Sequence, residues 1–215
     1  MALSRRGSRT SARTPWREAG WCAVDLELTG LDPRHDEIIA VGAVPVIEGR
    51  VVLGQAAYTL VRSLRPSGRE AVLLHKLRVA DLAQAPPLAD ALELISGALE
   101  GRIPVFHTAA VEQAFLGRAF ARRRLLSEAA DTEMLGRLWL SQRGERVPTR
   151  LPLEQLATRL GAPADAPHHA LGDALTTARA FVALATHLDA VTPQTVGTLT
   201  RARGQLTAAR RFAPG

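Results

Sequence analysis

The sequence is poor in several residue types, and each shortage narrows its chemistry. It holds one cysteine, Cys22, so neither an internal disulfide nor a cysteine-rich zinc site can form. That usage fits a reducing compartment. No apolar run is long enough to span a bilayer. Lysine is nearly absent: Lys76 stands alone, and arginine carries almost all of the positive charge. Aromatic residues make up 4% of the chain, too few for an evident stacking platform along a single strand. Acidic residues are missing from Met1 to Arg17, a stretch rich in arginine and serine. A transit peptide and a flexible basic arm both fit it, but the apolar centre of a secretory signal is absent. The expectation is a cytoplasmic protein with no membrane partner.

What is present points to a folded domain. Hydrophobic residues make up 47% of the 215 residues, enough for one domain with a proper core. The formal charge of +6 favours a polyanionic partner, although much of the excess lies in the tails.

Apolar patterning predicts strands over Trp21 to Leu28, Glu37 to Val46 and Arg50 to Val61. Gly49 sits between the last two, as in a hairpin, so an antiparallel meander is expected. Short helical pieces are predicted over 69–83, then a helix from Leu88 to Leu99 closed by Gly101, and a strand from Ile103 to Phe106. Further helices are predicted over 109–124, 132–142 and 153–160, the last ended by Gly161. Ala170 to Leu188 has the cleanest helical stripe, through Leu171, Ala174, Leu175, Ala178, Phe181, Val182 and Ala185. Thr192 and Pro193 read as the cap and first residue of a final basic helix. Strands first and then alternation give an α/β domain with a mixed sheet. Residues 1–18 form a basic arm, 19–190 the domain and 191–215 a basic helix and tail.

Three segments carry chemistry. In Val24-Asp25-Leu26-Glu27-Leu28-Thr29-Gly30, two acids at i and i+2 of a strand share one face. Burying them side by side is costly without a cation or donors, and Mg²⁺ or Mn²⁺ suits their oxygens; taken alone, the pair favours a wet polar strand face, and the Thr-Gly that ends the strand shifts the balance toward a ligand site. The second is Val105-Phe106-His107-Thr108-Ala109-Ala110-Val111-Glu112. It places Glu112 on the inward stripe with Phe115, Leu116 and Ala119, where either a metal or a boundary arginine would serve as its partner. The third, Pro167-His168-His169-Ala170-Leu171-Gly172-Asp173, starts the cleanest helix. Asp173 there is a helix-dipole acid or a metal ligand beside a histidine that can move protons near neutral pH.

These motifs, in this order, resemble the DEDDh 3′–5′ exonucleases, relatives of the proofreading subunit of bacterial replicative DNA polymerase, ribonuclease T and oligoribonuclease. The resemblance runs from Trp21 to His187. Asp25, Glu27, Thr29 and Gly30 match the family's opening pattern, and His168 and Asp173 match its closing one. A sister group puts tyrosine where His169 stands; the one tyrosine, Tyr58, is far along the chain, so the histidine branch is indicated. Leu74-His75-Lys76 to Ala85-Pro86-Pro87 and Asp131-Thr132 resemble the family's connecting segments.

The resemblance implies a ribonuclease H-like fold: a mixed sheet of about five strands with helices on both faces. It implies two divalent ions, Mg²⁺ or Mn²⁺, with Asp25 bridging, Glu27 and Asp173 on one metal and Glu112 serving the other. His168 would be the base; Thr29, Gly30, Leu31 and His107 would contact substrate. The partner would be a nucleic-acid 3′ end, DNA ahead of RNA. Polymerase association is not indicated, and a homodimer is left open. Two positions depart from the family: Thr108 stands where asparagine is usual and Glu112 where aspartate is usual. A catalytically degenerate module that binds nucleic acid or protein is therefore the alternative, and a small-molecule phosphodiesterase a third reading. The arginines at 122–124 and in the C-terminal helix are candidates for phosphate contact.

Overall fold

The structure, a computed structural model, describes residues 10–63, 65, 67–120, 128–202 and 204–206. Strand β1 (Gly20–Leu28) lies mid-sheet and alternates strictly. Trp21 and Ala23 face one apolar layer; Cys22, Val24, Leu26 and Leu28 face the other. β2 (Ile38–Ile47) pairs antiparallel with it. A tight turn follows, with Glu48 and Gly49 both at positive φ, as a two-residue hairpin requires.

The predicted third strand is split into β3 (Arg50–Val51) and β4 (Ala57–Leu60), both on β2. Pro45 is the reason. Its carbonyl accepts from Val52 N–H at 2.9 Å, but it has no N–H to return. The ladder stops, the chain makes a 3₁₀ turn over Leu53–Gln55, and pairing resumes at Ala43.

Helices α1 (Arg69–His75), α2 (Val79–Leu82) and α3 (Leu88–Ala98) lead to β5 (Arg102–Phe106), parallel to β1. α4 (Ala110–Ala119) leads to β6 (Ala130–Asp131), parallel to β5. α4 is shorter than predicted: Phe120 is already extended, and its ring is buried. The 122–124 arginines lie outside the described residues, as do Arg203, Arg210 and Arg211 of the tail. α5 (Thr132–Gln142), α6 (Leu153–Leu160) and α7 (Ala170–Val191) follow close to their predicted bounds.

The predicted last helix begins as α8 (Val196–Thr200), capped by Thr195 and not by Thr192. Thr195 Oγ1 accepts from Thr198 N–H, while Thr192 closes α7. Ahead of it, Gln194 is held by Asp189 and receives the Trp16 N–H.

The result is a mixed sheet ordered β3-β2-β1-β5-β6, with β4 also on β2, and helices on both faces. α3 and α4 cover one face through Ala91, Ile95, Phe115 and Leu116. The other is covered by α5 to α8, and α7 is pressed into the sheet, its Phe181 ring 4.7 Å from Trp21. Its deep face is Ala174, Ala178, Phe181, Leu184 and Leu188; Leu171, Leu175 and Val182 from the predicted stripe are only partly covered. From Ala12 onward the basic arm packs on the body. Gly197 N–H donates to Ala12 O, Val196 N–H donates to Thr14 O, and Trp16 is 1% exposed in the core. Among the described residues, no helix is long and apolar enough to cross a membrane.

Candidate active site

Asp25 and Glu27 follow Trp21 and Ala23 on the α7 side of β1, so strand alternation alone aims both carboxylates at that helix. What brings the helix within reach is Gly42. It pairs with Asp25 across β2, and a Cβ there would sit 2.2 Å from Ala170 O. Only a residue without a side chain lets the first turn of α7 lie directly on the sheet. Asp173 then joins the pair, and one oxygen of each of the three carboxylates lies within 4.8 Å of the others.

The electrostatics record the crowding. Burial pushes Asp25 well above the ordinary carboxylate range, and the charges of Glu112, Asp173 and Glu27 add to it, in that order. Glu27 is pushed up to about 7, by burial and then by Asp173. Burial also raises Asp173; the His168 N–H, donated to Asp173 Oδ2 at 2.9 Å, opposes it. Glu112 on α4 is 6% exposed and is raised to about 8, by burial first and then by Asp131. Glu112 lies outside the tight trio, yet it is the largest charge acting on Asp25. The Glu112 carboxylate is thus near enough to Asp25 for its charge to be felt there. Glu27 Oε1 and Glu112 Oε2 are buried with no hydrogen-bond partner among the described residues. Unsatisfied, repelling oxygens of this kind are costly by themselves and suit a divalent cation.

The segment from Phe106 to Glu112 is held by α5. Asp131 caps α5 through Glu133 N–H and Met134 N–H and also receives Ala109 N–H. Thr108 Oγ1 donates to Glu133 Oε2, whose other oxygen receives Leu151 N–H. Thr108 has φ 60°, a conformation that asparagine tolerates and a β-branched residue resists. His107 Nδ1 lies 3.0 Å from Thr132 Oγ1, so this ring is engaged with α5 and is not brought into the carboxylate trio. Asp131 and Glu133 hold this turn, a role that their separation from it in sequence concealed.

His168 is exposed, at φ 60°, immediately beside Asp173. His169 caps α7, and its ring stacks on Tyr58 at 4.7 Å. The tyrosine distant in sequence thus adjoins the third motif in space, close enough to Glu27 for that charge to raise its phenol, after burial. His75, at the end of α1, is buried and electrostatically coupled to His168. Thr29 closes the β1–β2 turn: its hydroxyl donates to Asp36 Oδ1 and accepts from Glu37 N–H. Gly30 is glycine because Asp36 fills the space of a Cβ, at 2.5 Å. Leu31 stands 79% exposed beyond it.

Comparison with known proteins identifies the relatives of this chain. The exonuclease family model RNase_T matches residues 22–181. A DNA polymerase III subunit epsilon-like protein of Rhodobacter capsulatus is 34% identical over 185 residues, covering 85% of this chain and 26% of that protein. A PolC-type DNA polymerase III of Thermotoga petrophila is 29% identical, over 78% of this chain and 12% of its own length. The chain therefore spans about a quarter or less of these relatives. Among solved structures, Exonuclease X in complex with 5′ overhanging duplex DNA superposes with a TM-score of 0.64 at 22% identity, covering 85% of this chain and 98% of that one. Escherichia coli Exonuclease I in complex with a dT13 oligonucleotide gives 0.68 at 15%, covering 80% and 42%. These two likenesses show the ribonuclease H-like fold. With its three motifs inside the matched span, and the carboxylates of the first and third gathered at one place, the chain belongs to the RNase_T exonuclease family.

Proposed function

We propose that the protein is a 3′–5′ exonuclease that removes nucleoside 5′-monophosphates from single-stranded nucleic acid, DNA ahead of RNA, with two Mg²⁺ or Mn²⁺ ions. The observation that carries this reading is the meeting of Asp25, Glu27 and Asp173, from opposite ends of the domain, with Glu112 beside them. An all-carboxylate donor set suits hard, oxygen-seeking cations. Asp25, Glu27, Asp173 and Glu112 would hold the ions, which when bound supply Lewis acidity toward the phosphate and lower the pKa of an attacking water.

The remaining work falls to the chain itself. His168, exposed beside Asp173, takes the proton of the attacking water on its imidazole. Asp173 anchors that histidine by receiving its backbone N–H. The Tyr58 ring braces the adjoining His169. The turn at Thr29, Gly30 and Leu31 receives the terminal nucleotide, with Leu31 offering its apolar side chain to the base. His107 supports the site through Thr132.

The test compares oligonucleotides labelled at either end, DNA and RNA, incubated with Mg²⁺ or Mn²⁺ and with EDTA. The expected result is a ladder of 5′-labelled shortening products and early release of the 3′ label, abolished by EDTA. Binding without shortening of any substrate would establish the degenerate module instead.

A further inference from the structure

A cavity of about 550 Å³ opens beside the β1–β2 turn. Ile38, Val61 and Phe115 floor it, and Arg34, Arg62, Arg65 and Arg118 line it. Its two acids are already engaged. Asp36 receives the Thr29 hydroxyl and the Asp32 N–H. Glu37 receives the Ser63 hydroxyl and faces Arg65 at 4.0 Å. Arg62 spends its Nε on Ala85 O. Arg34 and Arg118 are exposed and form no ion pair among the described residues. The cavity therefore presents a net positive field with two free guanidinium forks, a geometry that matches phosphate oxygens bidentately. It is linked to the site through Thr29, which directly follows the strand bearing Asp25 and Glu27 and is bonded to both Asp36 and Glu37 on the cavity wall.

We infer that this cavity is a second nucleic-acid contact, in which Arg34 and Arg118 hold a backbone phosphate internal to the end being cleaved. The inference rests on the exonuclease reading for the identity of its ligand. A strand whose last nucleotide lies at Thr29 to Leu31 crosses the β1–β2 turn to reach it. Buried apolar residues beneath the arginines leave room for a sugar or base, whereas an exposed basic surface would hold only the phosphate. The contact positions the strand and carries no sequence information.

The test uses the full chain with Arg34→Ala, Arg118→Ala and the double substitution. Fluorescence anisotropy in EDTA measures binding of a single-stranded dinucleotide and a decamer across a salt series. Each substitution is expected to weaken decamer binding roughly fivefold and to flatten the slope of log K against log salt by about 0.7, leaving the dinucleotide unchanged. Arg118→Lys should recover part of the loss. Decamer binding equal to wild type in the double variant, or equal losses for decamer and dinucleotide, would overturn the assignment. Binding in EDTA does not depend on hydrolysis. A wild type that fails to cleave but shows this length dependence sinks the proposed function alone, and the converse sinks this cavity alone. Thermal melting of each variant confirms that the exposed arginines were removed without unfolding.

Discussion

Gly42→Ala is the sharpest probe of how the site is assembled. The new methyl would stand 2.2 Å from Ala170 O and 2.6 Å from Leu171 N, both backbone atoms that cannot rotate away. Restoring ordinary contact requires the first turn of α7 to retreat by about 1 Å. Overpacking of this sort costs about 1–3 kcal/mol, a fall of several degrees in Tm for a chain of this length. Asp173 rides on the same turn, so the damage to catalysis should exceed the damage to folding. A shift near 1 Å in a reacting constellation costs on the order of a hundredfold in rate. The assay is kcat on a labelled single strand alongside a thermal melt, with Gly54→Ala as control, since no atom lies within 4 Å of its built Cβ. A Gly42→Ala enzyme with wild-type kcat would refute the claim that helix-to-sheet distance sets the site, whatever its Tm.

Metal-free stability should depend on pH in a direction fixed by the raised carboxylates. Glu27 and Glu112 titrate near 7 and 8 in the fold against an ordinary 4.5. The folded form therefore binds protons more tightly than the unfolded one. The associated stability is complete below about pH 4.5 and lost as pH climbs through 7 and 8. In EDTA, Tm should fall between pH 5 and 8, and saturating Mg²⁺ or Mn²⁺ should restore it; a flat profile with no metal response would contradict the cluster. Asp25→Ala should reduce cleavage below detection, whereas His168→Ala should retain a residue, about 10²- to 10⁴-fold down. Wild-type rates in Asp25→Ala would remove it from the centre of the site. Thr108→Asn should raise Tm by a few degrees, by relieving a β-branched residue at φ 60°; a lower Tm would mean that the Thr108–Glu133 hydrogen bond outweighs the strain.

The features legible in the sequence were those with a local signature. The i, i+2 acids on an apolar strand, the extent of α7 and the glycine stop after α6 are each readable within one element, and each lies where it was expected. The third strand was misread because Pro45, on its neighbour, interrupts the pairing. The last helix was misread because Thr192 and Thr195 have equal capping chemistry, and contacts with Trp16 and Asp189 decide between them. In the site, Gly42, Asp131, Glu133 and Tyr58 were silent for the same reason. Each acts through a partner on another element: α7 for Gly42, the turn after β5 for the two acids, His169 for the tyrosine. Burial of Glu112 was anticipated from its stripe; its approach to Asp25 was implied only by the family resemblance.

The trio is built from the first strand of the domain and the opening of its longest, late helix. An ion seated there would tie together two points far apart along the chain, as a removable clasp would. Loosening β1 or the first turn of α7 would open the clasp, so affinity for a cation would gauge how firmly that helix is seated on the sheet.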